Sequence, residues 1–193
     1  MNYLKEISKQ IKSKDKVIIS IDGPSASGKT TFGKLLSEKF DALLIHSDDY
    51  FLPANKKTLE RLSESGGNLD YIRLEEEVMK NIYSKEIVSN HFNCTTEQLE
   101  KKAPMNNKQV IIVEGAYSMH KNLRGYYTMS FLITIDKNLQ KQRIFSRNGE
   151  TMLKRWIEEW IPLEDFYFEE EKLEQTSDFV IDALELPTSI KFI

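Results

Sequence analysis

The sequence predicts an α/β fold of three layers, a mainly parallel sheet covered by helices on both faces. Short apolar segments rich in β-branched residues alternate with segments of helical periodicity along the chain. These strand segments are apolar almost throughout, which is typical of strands buried on both faces. Strands that alternate with helices favour a parallel sheet between helical layers.

The elements follow from the apolar pattern in chain order. Leu4, Ile7 and Ile11 recur at helical spacing and predict a short amphipathic first helix. The segments expected after it are a strand at 17–21, a helix at 30–39, a strand at 42–46, a helix at 73–83, a short strand near 87–88, strands at 109–113 and 131–135, helices at 138–147 and 151–170, and a strand at 179–181. Residues 52–70 carry Pro53 and Gly66-Gly67 and are expected to be irregular. Without an internal repeat or linker, residues 1–193 are expected to form a single domain.

Composition excludes several classes of function. The 193 residues carry a net charge of −3, so no broad positive field favours nucleic acid or anionic lipid. No apolar run approaches the length of a membrane span, and residues 1–16 lack the apolar core of a secretory signal. The single cysteine, Cys94, excludes an intrachain disulfide. We therefore expect a cytoplasmic protein with no nucleic-acid or membrane partner, and a homo-oligomer remains open.

Residues 23–30, Gly-Pro-Ser-Ala-Ser-Gly-Lys-Thr, match the phosphate-binding pattern G-x-x-x-x-G-K-[ST]. The pattern lies between a predicted strand and a predicted helix, as it must to bind phosphate; a glycine-rich surface turn is the alternative interpretation. Gly23 and Gly28 let successive N–H groups turn inward around an anion. Lys29 brings a positive charge to the outer phosphates, and the Thr30 hydroxyl is placed to bind Mg²⁺. The residues predicted to bind the nucleotide are Gly23, Ser25, Ala26, Ser27, Gly28, Lys29, Thr30 and Thr31.

Carboxylates follow two other predicted strands. Asp48 and Asp49 end the second strand, and Glu114 follows the strand at 109–113. Because ligands bind at the carboxyl ends of parallel strands, we expect these residues on the same edge as the loop. One of the two aspartates, a choice the sequence leaves open, would align and deprotonate an acceptor hydroxyl. Glu114 would reach Mg²⁺ or polarise the acceptor. An Asx turn and an ordinary surface glutamate are the plainer alternatives.

A basic helix follows the strand at 131–135. Arg143 and Arg147 share one face of it and would neutralise the transferred phosphoryl group, unless they form a solvated basic face. The segment Asn148-Gly149-Glu150 could act as the hinge of a lid at about 143–165. The aromatic residues that follow, Trp156 and Trp160 among them, are predicted to pack in the core.

The order of these motifs resembles the uridine kinase branch of the P-loop kinases, which includes phosphoribulokinase, pantothenate kinase and nicotinamide riboside kinase. The resemblance covers nearly the whole chain and rests on residues 23–30, 46–51, 68–70 and 112–115. It implies that Asp48 is the base toward a ribose 5′-hydroxyl, that Asp70 holds ribose hydroxyls, and that Glu114 is the acid after the Walker B strand. Arg143 and Arg147 match lid arginines. The residues expected to bind the substrate are Asp48, Asp49, Tyr50, Asp70 and Glu114.

These observations predict an ATP-dependent kinase that phosphorylates the hydroxyl of a small molecule, with a nucleoside as the first candidate, Mg²⁺ as cofactor and ATP or GTP as donor. Residues 89–96 depart from the pyrimidine-reading segment of uridine kinases, which leaves the base open. Residues 21–25 resemble cytidylate kinase, so a nucleoside monophosphate kinase is an alternative. That enzyme would need arginines for the acceptor phosphate, and the candidates outside the lid are Arg61, Arg73 and Arg124. A nucleotide-binding protein without catalytic activity is the third reading.

Overall fold

The computed structural model describes residues 2–93, 96 and 98–189. The helices are α1 (Asn2–Ser13), α2 (Lys29–Phe40), α3 (Leu59–Ser63), α4 (Tyr71–Glu77), α5 (Lys137–Arg155), α6 (Ile161–Glu170) and α7 (Leu173–Thr176). The strands are β1 (Val17–Asp22), β2 (Leu43–His46), β3 (Glu86–Ile87), β4 (Asn90–Asn93), β5 (Gln98–Lys101), β6 (Met105–Asn106), β7 (Val110–Glu114), β8 (Met129–Thr134) and β9 (Phe179–Asp182). Short 3₁₀ turns lie at Ser47–Tyr50, Ala54–Lys56, Met79–Asn81 and Arg124–Tyr126, and a π-helical turn lies at Trp156–Trp160.

The main sheet has five strands in the order β2-β7-β1-β8-β9, and all of its neighbouring strands run parallel. The register aligns Ile21 of β1 and His46 of β2 with Glu114 of β7. The carboxyl ends of these three strands are therefore level. Because the glycine-rich loop follows β1 and Asp48 follows β2, the register alone brings both to the same edge as Glu114.

Two apolar cores cover the two faces of the sheet, and β7 shows how the sequence supplies both. Ile111 and Val113 belong to one core, whereas Val110 and Ile112 belong to the other. Since successive side chains of a strand point to opposite faces, a strand that is buried on both sides must be apolar at every position. Helices α1 and α2 cover one face, and α4, α6 and α7 cover the other. The predicted three-layer α/β fold is confirmed.

Of the three apolar residues predicted to dock helix α1, only one is fully buried. Ile7 is fully buried, while Leu4 and Ile11 are only partly buried. Tyr3 supplies the remaining contact, since its ring packs edge-on against Phe32 at 5.7 Å and Phe131 at 5.6 Å between centroids. An edge-to-face aromatic pair of this kind contributes about 0.5–1.5 kcal/mol beyond the area that it buries.

The structure differs from the prediction mainly in two regions. Residues 86–108, where one short strand was expected, form two small antiparallel sheets, β3 with β6 and β4 with β5. Strand β5 is polar and largely exposed, so no apolar alternation announces it. The helix expected at 73–83 ends at Glu77 and continues as a 3₁₀ turn, and part of the irregular stretch at 52–70 is helical. Cys94 lies outside the described residues.

Candidate active site

The glycine-rich loop curls tightly at the carboxyl end of β1. Gly23 and Gly28 have φ values of 148° and 103°, and a Cβ atom on Gly23 would lie 2.2 Å from the carbonyl oxygen of Ile133. Only glycine fits this position. The Lys29 ammonium donates to the carbonyl oxygens of Gly23 at 2.7 Å and Pro24 at 2.9 Å. Since an ammonium has three donors, one N–H direction remains for a phosphate oxygen.

A buried aspartate that the motif does not include anchors this loop. Asp22 is fully buried and accepts hydrogen bonds from the backbone N–H groups of Gly23 at 2.7 Å and Met119 at 2.8 Å. The Tyr167 hydroxyl donates a third at 2.8 Å. Desolvation raises the pKa of Asp22, and these donors oppose that rise. Asp22, the last residue of β1, therefore fixes the start of the loop at the end of that strand.

The two predicted metal ligands are in contact. The Thr30 hydroxyl donates to Oε2 of Glu114 at 3.1 Å, and Glu114 is buried. Nδ1 of His46 lies 2.5 Å from the other oxygen, Oε1, and this hydrogen bond raises the pKa of His46. Hydroxyl and carboxylate oxygens are the donors that Mg²⁺ prefers, with phosphate oxygens and water completing the shell. Across residues 2–93, 96 and 98–189, no three His, Cys, Asp or Glu side chains form a metal site by themselves. The residues present thus fit a magnesium ion shared with a nucleotide.

The two adjacent aspartates face different surroundings. Asp48 lies on the cavity wall, whereas the Asp49 carboxylate pairs with Lys102 at 2.8 Å and does not line the cavity. Ser47 donates its hydroxyl to the carbonyl oxygen of Ala116 at 2.9 Å, which ties the start of this turn to the segment after β7. The surrounding protein partly desolvates Asp48 and raises its pKa, while the positive charge of Lys29 opposes the rise.

Two residues predicted to bind the substrate lie behind the cavity wall. Tyr50 is buried in the core with the Arg73 guanidinium 4.5 Å from the centre of its ring. Asp70 is 3% exposed. It caps α4 by accepting a hydrogen bond from the backbone N–H of Arg73 at 3.2 Å, and it forms an ion pair with Lys56 at 3.0 Å. Asn68, two residues earlier, lines the cavity instead.

The helix that carries the predicted lid arginines is broken at Gly149, whose φ of 78° and ψ of 177° are not helical. Arg143 donates to the carbonyl oxygen of Ala26 at 3.1 Å, and Arg147 lines the cavity with an exposed side chain. Trp156 and Trp160, predicted to lie in the core, also line the cavity. Their rings pack against each other with 4.5 Å between centroids.

Glu164 of α6 is a site residue that the sequence did not reveal. It is 3% exposed, lines the cavity, and accepts the backbone N–H of Ser25 at 3.0 Å as well as the Ser25 hydroxyl. Since 139 positions separate the two residues, no local pattern could have paired them.

One cavity of about 770 Å³ joins these groups. Its wall is formed by the loop, the strand ends and the lid segment: Ser25, Ala26, Gly28, Lys29, Thr30, Thr31, Asp48, Phe51, Lys57, Asn68, Phe92, Glu114, Gly115, Ala116, Tyr117, Arg143, Arg147, Met152, Arg155, Trp156, Trp160 and Glu164. Gly23, Ser27, Asp49, Tyr50 and Asp70 were predicted as site residues and are not part of this wall. The arrangement presents anion donors, oxygen ligands for a cation and a free carboxylate to one shared cavity.

Comparison with known proteins gives the same fold. A family model for shikimate kinase matches residues 25–90, about a third of the chain. A structure from Bacillus stearothermophilus, described as a possible uridine kinase, has a TM-score of 0.65 at 21% identity and covers 94% of this chain and 100% of its own. The chain has the fold of the P-loop kinases. A candidate fructose transport system kinase from Silicibacter sp. TM1040 has a TM-score of 0.63 at 14% identity, with 86% of this chain and 89% of its own covered.

The predicted resemblance to uridine kinase-like P-loop kinases is thus confirmed at the level of the fold. No curated protein matches the sequence. Within the described part of the chain, no helix combines the length and apolarity that a membrane crossing needs.

Proposed function

We propose that this protein transfers the terminal phosphoryl group of ATP or GTP, with Mg²⁺, to a hydroxyl group of a nucleoside. The observation that carries the proposal is the shared cavity, in which Lys29, the contacting pair Thr30 and Glu114, and the free carboxylate of Asp48 line one wall. A protein that only binds nucleotides needs the first three groups but has no use for Asp48.

The donor half of the reaction rests on the loop. Its backbone N–H groups and the N-terminus of α2 bind the phosphates, and Lys29 directs its remaining N–H to the outer ones. Thr30 and Glu114 would hold Mg²⁺, which when bound neutralises the charge of the phosphate oxygens. Arg143 contacts the loop, and Arg147 lines the cavity on the same part of α5, before the break at Gly149, so both can reach the phosphates.

The acceptor half rests on Asp48 and the wall beyond it. The Asp48 carboxylate aligns the acceptor hydroxyl with the outer phosphate and removes its proton as transfer proceeds. Phe51, Phe92 and Tyr117 line the same cavity, and flat aromatic walls suit a planar base. Asn68 offers both a donor and an acceptor to the base or the ribose.

The lid at about 143–165, within one kinase domain over 1–193, is part of this proposal. The break at Gly149 supplies a hinge, and the segment beyond it carries Trp156 and Trp160 onto the cavity. Closure would exclude water, which otherwise competes with the acceptor for the phosphoryl group. Asp49, Tyr50 and Asp70 then act by supporting the acceptor wall from behind.

The alternative acceptor, a nucleoside monophosphate, is less well supported. The three candidate arginines outside the lid already bind protein groups. Arg61 contacts Glu64, Arg73 donates to the carbonyl oxygen of Asp49 at 2.6 Å, and Arg124 donates to Glu171 at 2.8 Å. Their charge is therefore committed to holding the fold together.

The direct test is a panel of nucleosides and nucleoside monophosphates incubated with the purified protein, ATP and Mg²⁺, with product detected by mass spectrometry. The expected result is a nucleoside 5′-monophosphate, with cytidine or uridine preferred to CMP. Transfer to CMP alone would establish the monophosphate kinase instead. If no nucleoside is phosphorylated although ATP binds, the nucleoside part of the proposal is wrong.

A further inference from the structure

A carboxylate of the protein itself occupies one end of the phosphate-binding loop. The backbone N–H of Ser25 points to Oε2 of Glu164 at 3.0 Å, and the Ser25 hydroxyl donates to Oε1. Backbone N–H groups of this loop are the donors that such loops offer to phosphate oxygens. A side-chain anion therefore stands where the anion of a ligand is expected.

The position of Glu164 is fixed by more than one contact. It is 3% exposed and lies on α6, which is part of the lid segment, while Gln140 and Arg143 of α5 hold the back of the loop through carbonyl oxygens. The positive charge of Lys29 stabilises the Glu164 carboxylate against the burial that raises its pKa. Since Lys29 serves the outer phosphates, Glu164 lies at the outer-phosphate end of the site.

We propose that Glu164 is an internal competitor of the nucleotide, which holds the lid segment against the loop until the outer phosphates of a nucleotide displace it. A carboxylate and a phosphate cannot share the Ser25 N–H, and two like charges at this distance repel each other. The inference rests on the proposed nucleotide binding and is independent of the acceptor. Displacement of Glu164 frees the first turn of α6, and with it the preceding turn that carries Trp156 and Trp160, at the moment the nucleotide enters. The rest of α6 stays on the sheet through buried Tyr167.

Competition of this kind lowers the apparent affinity for nucleotides, because only the fraction of molecules with an open loop can bind. Removing the charge of Glu164 should therefore strengthen binding. A hydrogen bond to a charged group contributes more than a neutral one, so the expected gain is on the order of tenfold. The gain should require outer phosphates, because Glu164 lies at that end.

The test compares Glu164→Gln with Asp165→Asn, a control that removes the same charge one residue away. Asp165 pairs with Lys137 at the exposed surface of the lid segment. Binding of ATP and AMP is measured by calorimetry with Mg²⁺ and without acceptor. We expect Glu164→Gln to bind ATP about tenfold more tightly and AMP within twofold of the wild type. The Asp165→Asn variant should match the wild type for both ligands.

Equal or weaker ATP binding by Glu164→Gln would overturn the inference, and so would an equal gain for AMP, which would indicate a general effect on the site. Tighter ATP binding by Glu164→Gln, together with a wild-type protein that phosphorylates no acceptor, supports this inference and contradicts the proposed kinase. Conversely, a kinase whose ATP affinity does not change contradicts this inference alone.

The chain offers a second readout that does not depend on the glutamine variant. Its two tryptophans both lie on the lid segment, so tryptophan emission, excited selectively over that of the tyrosines, reports on that segment. The Glu164→Ala variant, without nucleotide, should show an emission different from that of the free wild type, because the lid segment is released from the loop. If its emission stays that of the free wild type while circular dichroism shows a folded protein, Glu164 does not hold the lid.

Discussion

The two adjacent carboxylates after β2 give a matched test of the proposed base. Asp48→Asn replaces the carboxylate on the cavity wall, and Asp49→Asn replaces the one bound to Lys102. Both substitutions keep the shape of the side chain. Among the residues that the structure describes, none donates a hydrogen bond to the Asp48 carboxylate, so its replacement removes a charge without removing a contact.

The expected losses of turnover in the two variants differ by more than about tenfold. A positioned base contributes about 10²–10⁴-fold to turnover, which corresponds to about 3–5 kcal/mol of transition-state stabilisation. The Asp49 pair is partly exposed, with 22% of its carboxylate side chain accessible. Such a pair contributes about 0.2–1 kcal/mol to stability and none of it to the chemical step directly. Turnover by Asp49→Asn should therefore stay within about threefold of the wild type.

The assay measures turnover at saturating ATP and acceptor, together with ATP affinity measured separately. We expect Asp48→Asn to lose at least about 100-fold in turnover while its ATP affinity stays within about twofold, because Lys29, Thr30 and Glu114 remain in place. Near-wild-type turnover in Asp48→Asn would refute the assignment. A large loss in Asp49→Asn with none in Asp48→Asn would transfer the role to Asp49 and show that the wall seen here is not the reacting one.

Two further predictions concern stability. Gly115→Ala should lower the free energy of unfolding by about 1–3 kcal/mol, because φ is +131° and the new Cβ would lie 2.1 Å from the Ser47 hydroxyl oxygen. The control is Gly125→Ala, whose Cβ meets nothing within 4 Å. Thermal unfolding of the two variants checks the prediction, and equal midpoints would contradict it. Burial, with Arg61 and Lys121 nearby, lowers the pKa of His120 to about 4. Since its pKa when unfolded is about 6.5, the unfolded chain takes up the proton first, and stability is lost as pH falls from 6.5 toward 4. The loss from His120 between pH 7 and pH 5 is about 2 kcal/mol; urea unfolding of His120→Gln should show a correspondingly shallower pH dependence, and an unchanged one would contradict the assignment.

The main sheet could be predicted because each of its strands is marked by local composition. A strand covered on both faces must be apolar at every position, and β1 and β7 meet that condition. The small sheets at residues 86–106 could not be predicted, because β4 and β5 are mostly polar and stabilise each other through antiparallel pairing. Their pairing matters to the site, since it carries Phe92 to the cavity wall.

The candidate site divides in the same way. Lys29 and Thr30 come from a contiguous motif, and Asp48 and Glu114 come from the rule that the carboxyl ends of parallel strands share an edge. The register bears this rule out, because it places Glu114 level with His46 and Ile21. Glu164 obeys neither rule, because its contact with Ser25 depends on how the lid segment docks across the finished sheet.

Arg73 shows how a residue type can mislead when its position is unknown. From the sequence it was a candidate ligand for an acceptor phosphate, yet it is 8% exposed and donates to the carbonyl oxygens of Asp49 at 2.6 Å and Asn90 at 2.7 Å. Its guanidinium also lies over the ring of Tyr50. One buried cation thus ties together the turn after β2, helix α4 and strand β4, which are the segments that build the acceptor wall. In contrast, the lid side is joined to the loop mainly through polar contacts such as those of Arg143 and Glu164. The two walls therefore differ in how they are held: a buried network fixes the wall that carries Asp48, and polar contacts hold the lid segment. Under the proposed mechanism, Asp48 should keep its position while the lid segment moves.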